Sequence, residues 1–171
     1  MNTTVPMALG FSIEPVVWNG IATMVAAILA ATIAIIGYNR QQKISRQERR
    51  AAIYSEALRA VEDYLEAPYL ILRRDGSAGA RREITTRISD IQSRMSYYSA
   101  LLEIHAHAEI GMAYQALSAS ARSEAGKAMR EAWRTRPTLK DKEVPIHSRI
   151  DRSRSDEARR IYIQAIKSRD F

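Results

Sequence analysis

The sequence predicts an all-α protein in which one N-terminal transmembrane helix continues into an antiparallel helical bundle. Residues 16–38 form an apolar run of 23 residues without a charge. Beyond it, apolar side chains recur at spacings of four and three, the period of a helix face. Strand-like alternation is nowhere sustained, and no internal repeat is evident.

The chain opens with a short tail, residues 1–15, whose one charge is Glu14. Pro15 suits the first turn of a helix, where its missing N–H is not needed. The run 16–38 then gives a helix of roughly 34 Å, enough to cross a hydrocarbon core about 30 Å thick with some tilt. Nine of its residues are Val, Ile or Leu. Together they favour insertion by about 3 to 5 kcal/mol. Trp18 and Tyr38 bracket the run at the two interface levels where aromatic rings settle. A cleaved export signal would need a basic start and a shorter apolar stretch, and neither is present. The core helix of a soluble protein would show a polar stripe, which is absent as well.

Within the run, Ala22, Ala26, Ala30 and Ala34 form a ridge of small residues, with Thr23, Ala27 and Ala31 beside it. Such ridges let two membrane helices approach closely, so a homo-oligomer or a partner helix is an expected contact. All 26 Lys and Arg follow the run, beginning with Arg40, Lys43, Arg46, Arg49 and Arg50. Basic flanks stay on the cytoplasmic side. The expected location is therefore a bacterial inner (cytoplasmic) membrane spanned once, N-terminus outside and C-terminal domain in the cytoplasm. The absence of Cys agrees with a reducing compartment. Near a membrane each of those bases gains roughly 1 kcal/mol from anionic lipid headgroups, the expected surface partner.

The remainder divides into a helical domain, residues 39–133, a basic linker, 134–154, and a C-terminal helix, 155–171, packing on the bundle. With no proline between Pro15 and Pro68, the membrane helix is free to run on into the first cytoplasmic one. There Tyr54, Leu58, Val61 and Leu65 share a face, and Pro68 ends the helix within about a turn. "RRDGSAGARR" is expected to turn, with Asp75-Gly76 and Gly79 supplying backbone freedom. The next helix carries the clearest stripe, Ile84, Ile88, Ile91, Met95, Tyr98 and Leu102, with Glu83–Arg87 and Asp90–Arg94 as expected i,i+4 pairs. A break near residues 104–107 leads into "AEIGMAYQALSASARSEAGKAMREAWR", too rich in Ala to define a packing face. Two prolines and seven bases mark the linker. Ser153 or Ser155 is expected to cap the last helix, whose apolar side is Ala158, Ile161, Tyr162, Ala165 and Ile166.

Arg49-Arg50-Ala-x-x-Tyr54 at the membrane exit and Glu157-Ala158-Arg159-Arg160 at the last helix join this layout. Together they resemble uncharacterised bacterial and phage single-pass membrane proteins with a helical cytoplasmic domain. The resemblance implies an anchored helical domain and carries over no catalytic residue.

Chemistry is sparse. Cys catalysis is excluded, no G-x-S-x-G elbow accompanies the serines, and the phosphate-loop order is missing. His105 with Glu109, and Glu62 with Glu66, have i,i+4 spacing, but the paired Glu-x-x-His signature of carboxylate bundles is absent. No catalytic, cofactor-binding or metal residue is assigned, and no cofactor is expected. The expectation is a non-enzymatic, membrane-anchored scaffold or adaptor making protein or lipid-surface contacts. One alternative is a membrane-tethered nucleic-acid-binding protein, disfavoured because acids interleave the bases. A second is a metal-dependent enzyme.

Overall fold

The computed structural model describes residues 15–137 and 150–169, and for residues 15–22 the helical backbone alone. The tail 1–14, the linker interior 138–149 and the last two residues lie outside the described part. All regular structure among the described residues is α-helical: α1 (Pro15–Leu72), α2 (Ala78–His105), α3 (Ala108–Arg134) and α4 (Ser153–Arg169). The chain divides into two units at Arg46/Gln47.

In the first unit the described chain is α1 alone, and from Thr23 to Arg40 every side chain is exposed. The second unit has a conventional core. On α1 it starts at Tyr54 and continues through Ala57, Val61, Leu65 and Ile71, with Leu58 half-buried. Pro68 lies inside the last turns of α1, which ends at Leu72. The chain then turns through Gly76, at φ 84°. A Cβ at Gly76 would meet the Pro137 ring at 2.9 Å, so glycine is required twice over, for conformation and for space.

Gly79 departs from expectation. It lies in the first turn of α2. The reason is Ser77, whose hydroxyl accepts the Ala80 amide at 3.0 Å and caps the helix just upstream. Asp75 Oδ1 accepts the Ser77 amide at 2.8 Å, which holds its carboxyl below the usual range.

The α2 stripe is in the core, with Ile91, Met95 and Leu102 buried and Ile84, Ile88 and Tyr98 partly so. Arg94 reaches Asp63 on α1 at 2.7 Å, a pairing between helices where an i,i+4 pair with Asp90 was expected. The break falls between His105 and Ala108. The Tyr114 hydroxyl donates to the Met95 carbonyl at 3.3 Å, and Arg122 reaches Ser96 at 3.4 Å, so α3 lies against α2. Burial pushes the Tyr114 hydroxyl up to about 12.

Contrary to expectation, α3 has the best-defined face of all: Ile110, Tyr114, Leu117, Ala121, Ala125, Met129 and Ala132 are buried at spacings of three and four. Small residues on that face allow neighbouring helices to come close. The C-terminal end of α3 is plugged by Arg74, which is buried. Its guanidinium donates to the carbonyls of Ala132 at 2.9 Å, Trp133 at 3.2 Å and Thr135. It also lies 4.9 Å from the Trp133 ring centre. Carbonyls that no intrahelical N–H can reach thus meet a cation from α1's end.

α4 starts at Ser153 and buries Ser155, Ala158 and Tyr162, with Ala165 and Ile166 partly buried. Ile161 is exposed, because Tyr162, one position on, takes the inward direction. Neither serine caps α4 in the expected way. Glu124 of α3 instead accepts the Arg154 amide at 2.9 Å and the Ser155 amide at 3.0 Å.

Candidate membrane segment and its basic flank

α1 is long and apolar enough to cross a membrane. Its apolar part is covered by nothing else in the described chain. Met24, Val25, Ile28, Leu29, Ile33, Ile35 and Ile36 are each at least half exposed. Burying a side chain of this size is worth about 1.5 to 3 kcal/mol, so seven left in water cost on the order of 10 kcal/mol.

The side chains sort by size around the helix. At about 100° per residue, the seven large ones fall on one half of the circumference. The other half is Thr23, Ala26, Ala27, Ala30, Ala31, Ala34 and Gly37, all exposed. The alanine ridge is therefore the centre of a wider small-residue surface. For Ala22 and Trp18 only the helical backbone is described. Polar groups inside the segment are satisfied locally: the Thr32 hydroxyl donates to the Ile28 carbonyl at 2.8 Å.

Tyr38 closes the apolar part and starts a polar relay along α1. Gln42 Nε2 donates to Tyr38 Oη at 2.7 Å, and Arg46 Nη2 donates to Gln42 Oε1 at 3.0 Å. Each step is i,i+4, one turn of helix. Arg40, Lys43 and Arg46 are exposed on the first unit, and Arg49 and Arg50 are exposed near the start of the second.

The remaining acidic candidates pair with arginines rather than with one another. Glu62 and Glu66 engage Arg152, Glu62 also engages Arg159, and Glu109 engages Arg169. The Arg169 hydrogen bond holds the Glu109 carboxyl below its ordinary range. His105 ends α2 and His107 precedes α3, both exposed. His147 lies outside the described residues. Among the described residues there is no cluster of three or more His, Asp or Glu able to hold a metal. A shallow polar cleft runs between Tyr69 and the start of α4, its Arg152, Asp156 and Arg159 already in ion pairs.

Comparison with family models, with curated proteins and with solved structures finds no match.

Proposed function

We propose that the protein is a single-pass membrane protein of the bacterial inner membrane. Its N-terminus lies outside, and its antiparallel helical bundle serves in the cytoplasm as a scaffold or adaptor. One observation carries the reading: α1 exposes apolar side chains from Met24 to Ile36 and bears cations from Arg40 onward. Lipid tails relieve the first, and anionic headgroups neutralise the second. The Tyr38–Gln42–Arg46 relay supports the assignment of Tyr38 to the interface, since it holds the phenol between apolar and charged surroundings. The antiparallel arrangement is supported by the short turn from His105 to Ala108 and by the order of contacts after it, Gly111 near Leu102 and then Tyr114 on Met95. The acids of the second unit bridge its helices at Asp63, Glu62, Glu109 and Glu124, which engages them in holding the fold.

Fractionation tests the anchor. The full chain should stay with membranes through an alkaline carbonate wash and leave them only with detergent. Release by carbonate would contradict a spanning helix. Salt-dependent retention of the detergent-solubilised chain on DNA or RNA would replace the scaffold reading with the nucleic-acid one.

A further inference from the structure

α4 is joined to α1 and α3 by one buried aromatic and by ion pairs. It buries Ser155, Ala158 and Tyr162, three residues as α2 does, where α3 buries nine. Tyr162 is the anchor. Its ring is fully buried, 5.6 Å from that of Tyr114, and its hydroxyl donates to the Tyr54 carbonyl at 3.2 Å. Ala158 is buried with it, Ala165 and Ile166 pack partly against the core, and the contacts flanking them are charged. Arg152 bonds to Glu62 and Glu66, Arg159 to Glu62 at 3.2 Å, and Arg169 takes both oxygens of Glu109. The Glu124 carboxylate closes the helix start on Arg154 and Ser155. One buried aromatic ringed by Arg–carboxylate pairs is the anatomy of a protein–protein interface, where Tyr and Arg dominate binding. The charge is also sorted by element: in a chain of net charge +7, the receiving acids are on α1 and α3, and the bases are on α4 or, for Arg152, on the residue just before it.

We propose that α1 and α3 form a receptor surface for a basic amphipathic helix, and that α4 occupies it in cis. A partner protein presenting an arginine-bearing helix with one aromatic anchor displaces α4 and takes its place. The tether keeps α4 at an effective concentration in the millimolar range, so the surface stays closed until such a helix outcompetes it. The inference is independent of the membrane reading, because every contact it uses lies between Gln47 and Arg169.

The experiment uses the full chain in detergent, with a protease site inserted between Glu143 and Val144. After cleavage, the C-terminal fragment should stay bound at about 50 mM salt and leave at about 500 mM, where ion pairs are screened. A fluorescent peptide of residues 150–169 should then enter the vacated surface, and the same peptide with Tyr162→Ala should bind about thirtyfold more weakly. Glu62→Gln with Glu124→Gln in the receptor should weaken the unmodified peptide about tenfold. A fragment that stays bound at high salt and never exchanges would overturn the proposal. So would loss of cooperative melting by the remaining chain once the fragment leaves, since α4 would then belong to one indivisible core. Displacement by vesicles of anionic lipid but not by the peptide would overturn it in favour of a lipid-binding α4.

Discussion

α1 carries two surfaces of opposite kind. Between Met24 and Ile36 its large side chains are exposed, whereas from Tyr54 to Ile71 a stripe is buried and the exposed residues are polar. Both stretches are apolar enough to look like core. The difference lies in what surrounds the stripe: Glu56, Arg59 and Glu66 face water in the second stretch, and nothing charged interrupts the first. An amphipathic helix is buried by its own chain, and a uniformly apolar one needs a solvent that is itself apolar. The comparison separates fold stability from membrane affinity, and mutations should divide along the same line.

The largest effect belongs to the second surface and its partners. Ile91→Asp puts an unpaired charge where Ile91 is 2% exposed. It should destabilise the second unit by about 3 to 5 kcal/mol. Thermal melting in detergent will show this as loss of the cooperative transition, while membrane fractionation stays unchanged.

Ile28→Arg is the mirror experiment. On the large-side-chain half of the apolar segment it should oppose insertion by about 3 kcal/mol. Its readout is a larger fraction released by carbonate, with the melting of the bundle unaltered. If both substitutions damaged both readouts, the division between the two surfaces would not hold.

Alkali should act on the bundle alone. Burial raises Tyr114 from 10.0 to about 12 and raises Tyr162 as well. A phenol whose folded value lies above its unfolded one stabilises the fold fully below pH 10. That contribution disappears as the pH climbs through the folded value. For Tyr114 it is on the order of 3 kcal/mol. Circular dichroism against pH should therefore show unfolding above pH 10, and Tyr114→Phe should move it to higher pH. The smallest effect is expected at Arg87, exposed on the outer side of α2: Arg87→Ala should shift stability by less than about 0.5 kcal/mol.

How much of this was legible depended on side-chain size and on sequence distance. The α2 stripe was visible because Ile84, Ile88 and Ile91 are large, and no competing face offers such residues. On α3 the buried face is built largely of Ala113, Ala121, Ala125 and Ala132, and alanines also stand on its outer side, so apolar periodicity could not choose between them. Ile161 and Tyr162 are neighbours in sequence, and spacing alone allowed either to point inward. The caps that matter most join distant positions: Arg74 on the end of α3, and Glu124 on the start of α4. Ser153 and Ser155 were the local choice, and a carboxylate from another helix displaced them. In the first part of α1, the apolar run and the bases after it were plain in the sequence, because charge and hydropathy need no partner to be read. Gly79 misled because a capping serine two residues earlier had already committed the chain to helix.

The central claim, that residues 16–38 span a membrane with the basic flank inside, is tested most directly by cysteine labelling. The chain contains no Cys, so each introduced one reports alone. Asn2→Cys and Ser168→Cys are made separately in the full chain, and intact spheroplasts are treated with a membrane-impermeant maleimide. The account predicts that Asn2→Cys reacts at once, while Ser168→Cys reacts only after the membrane is opened. Labelling of Ser168→Cys in sealed spheroplasts, or a mature chain that begins near residue 35 and has lost the run, would contradict it.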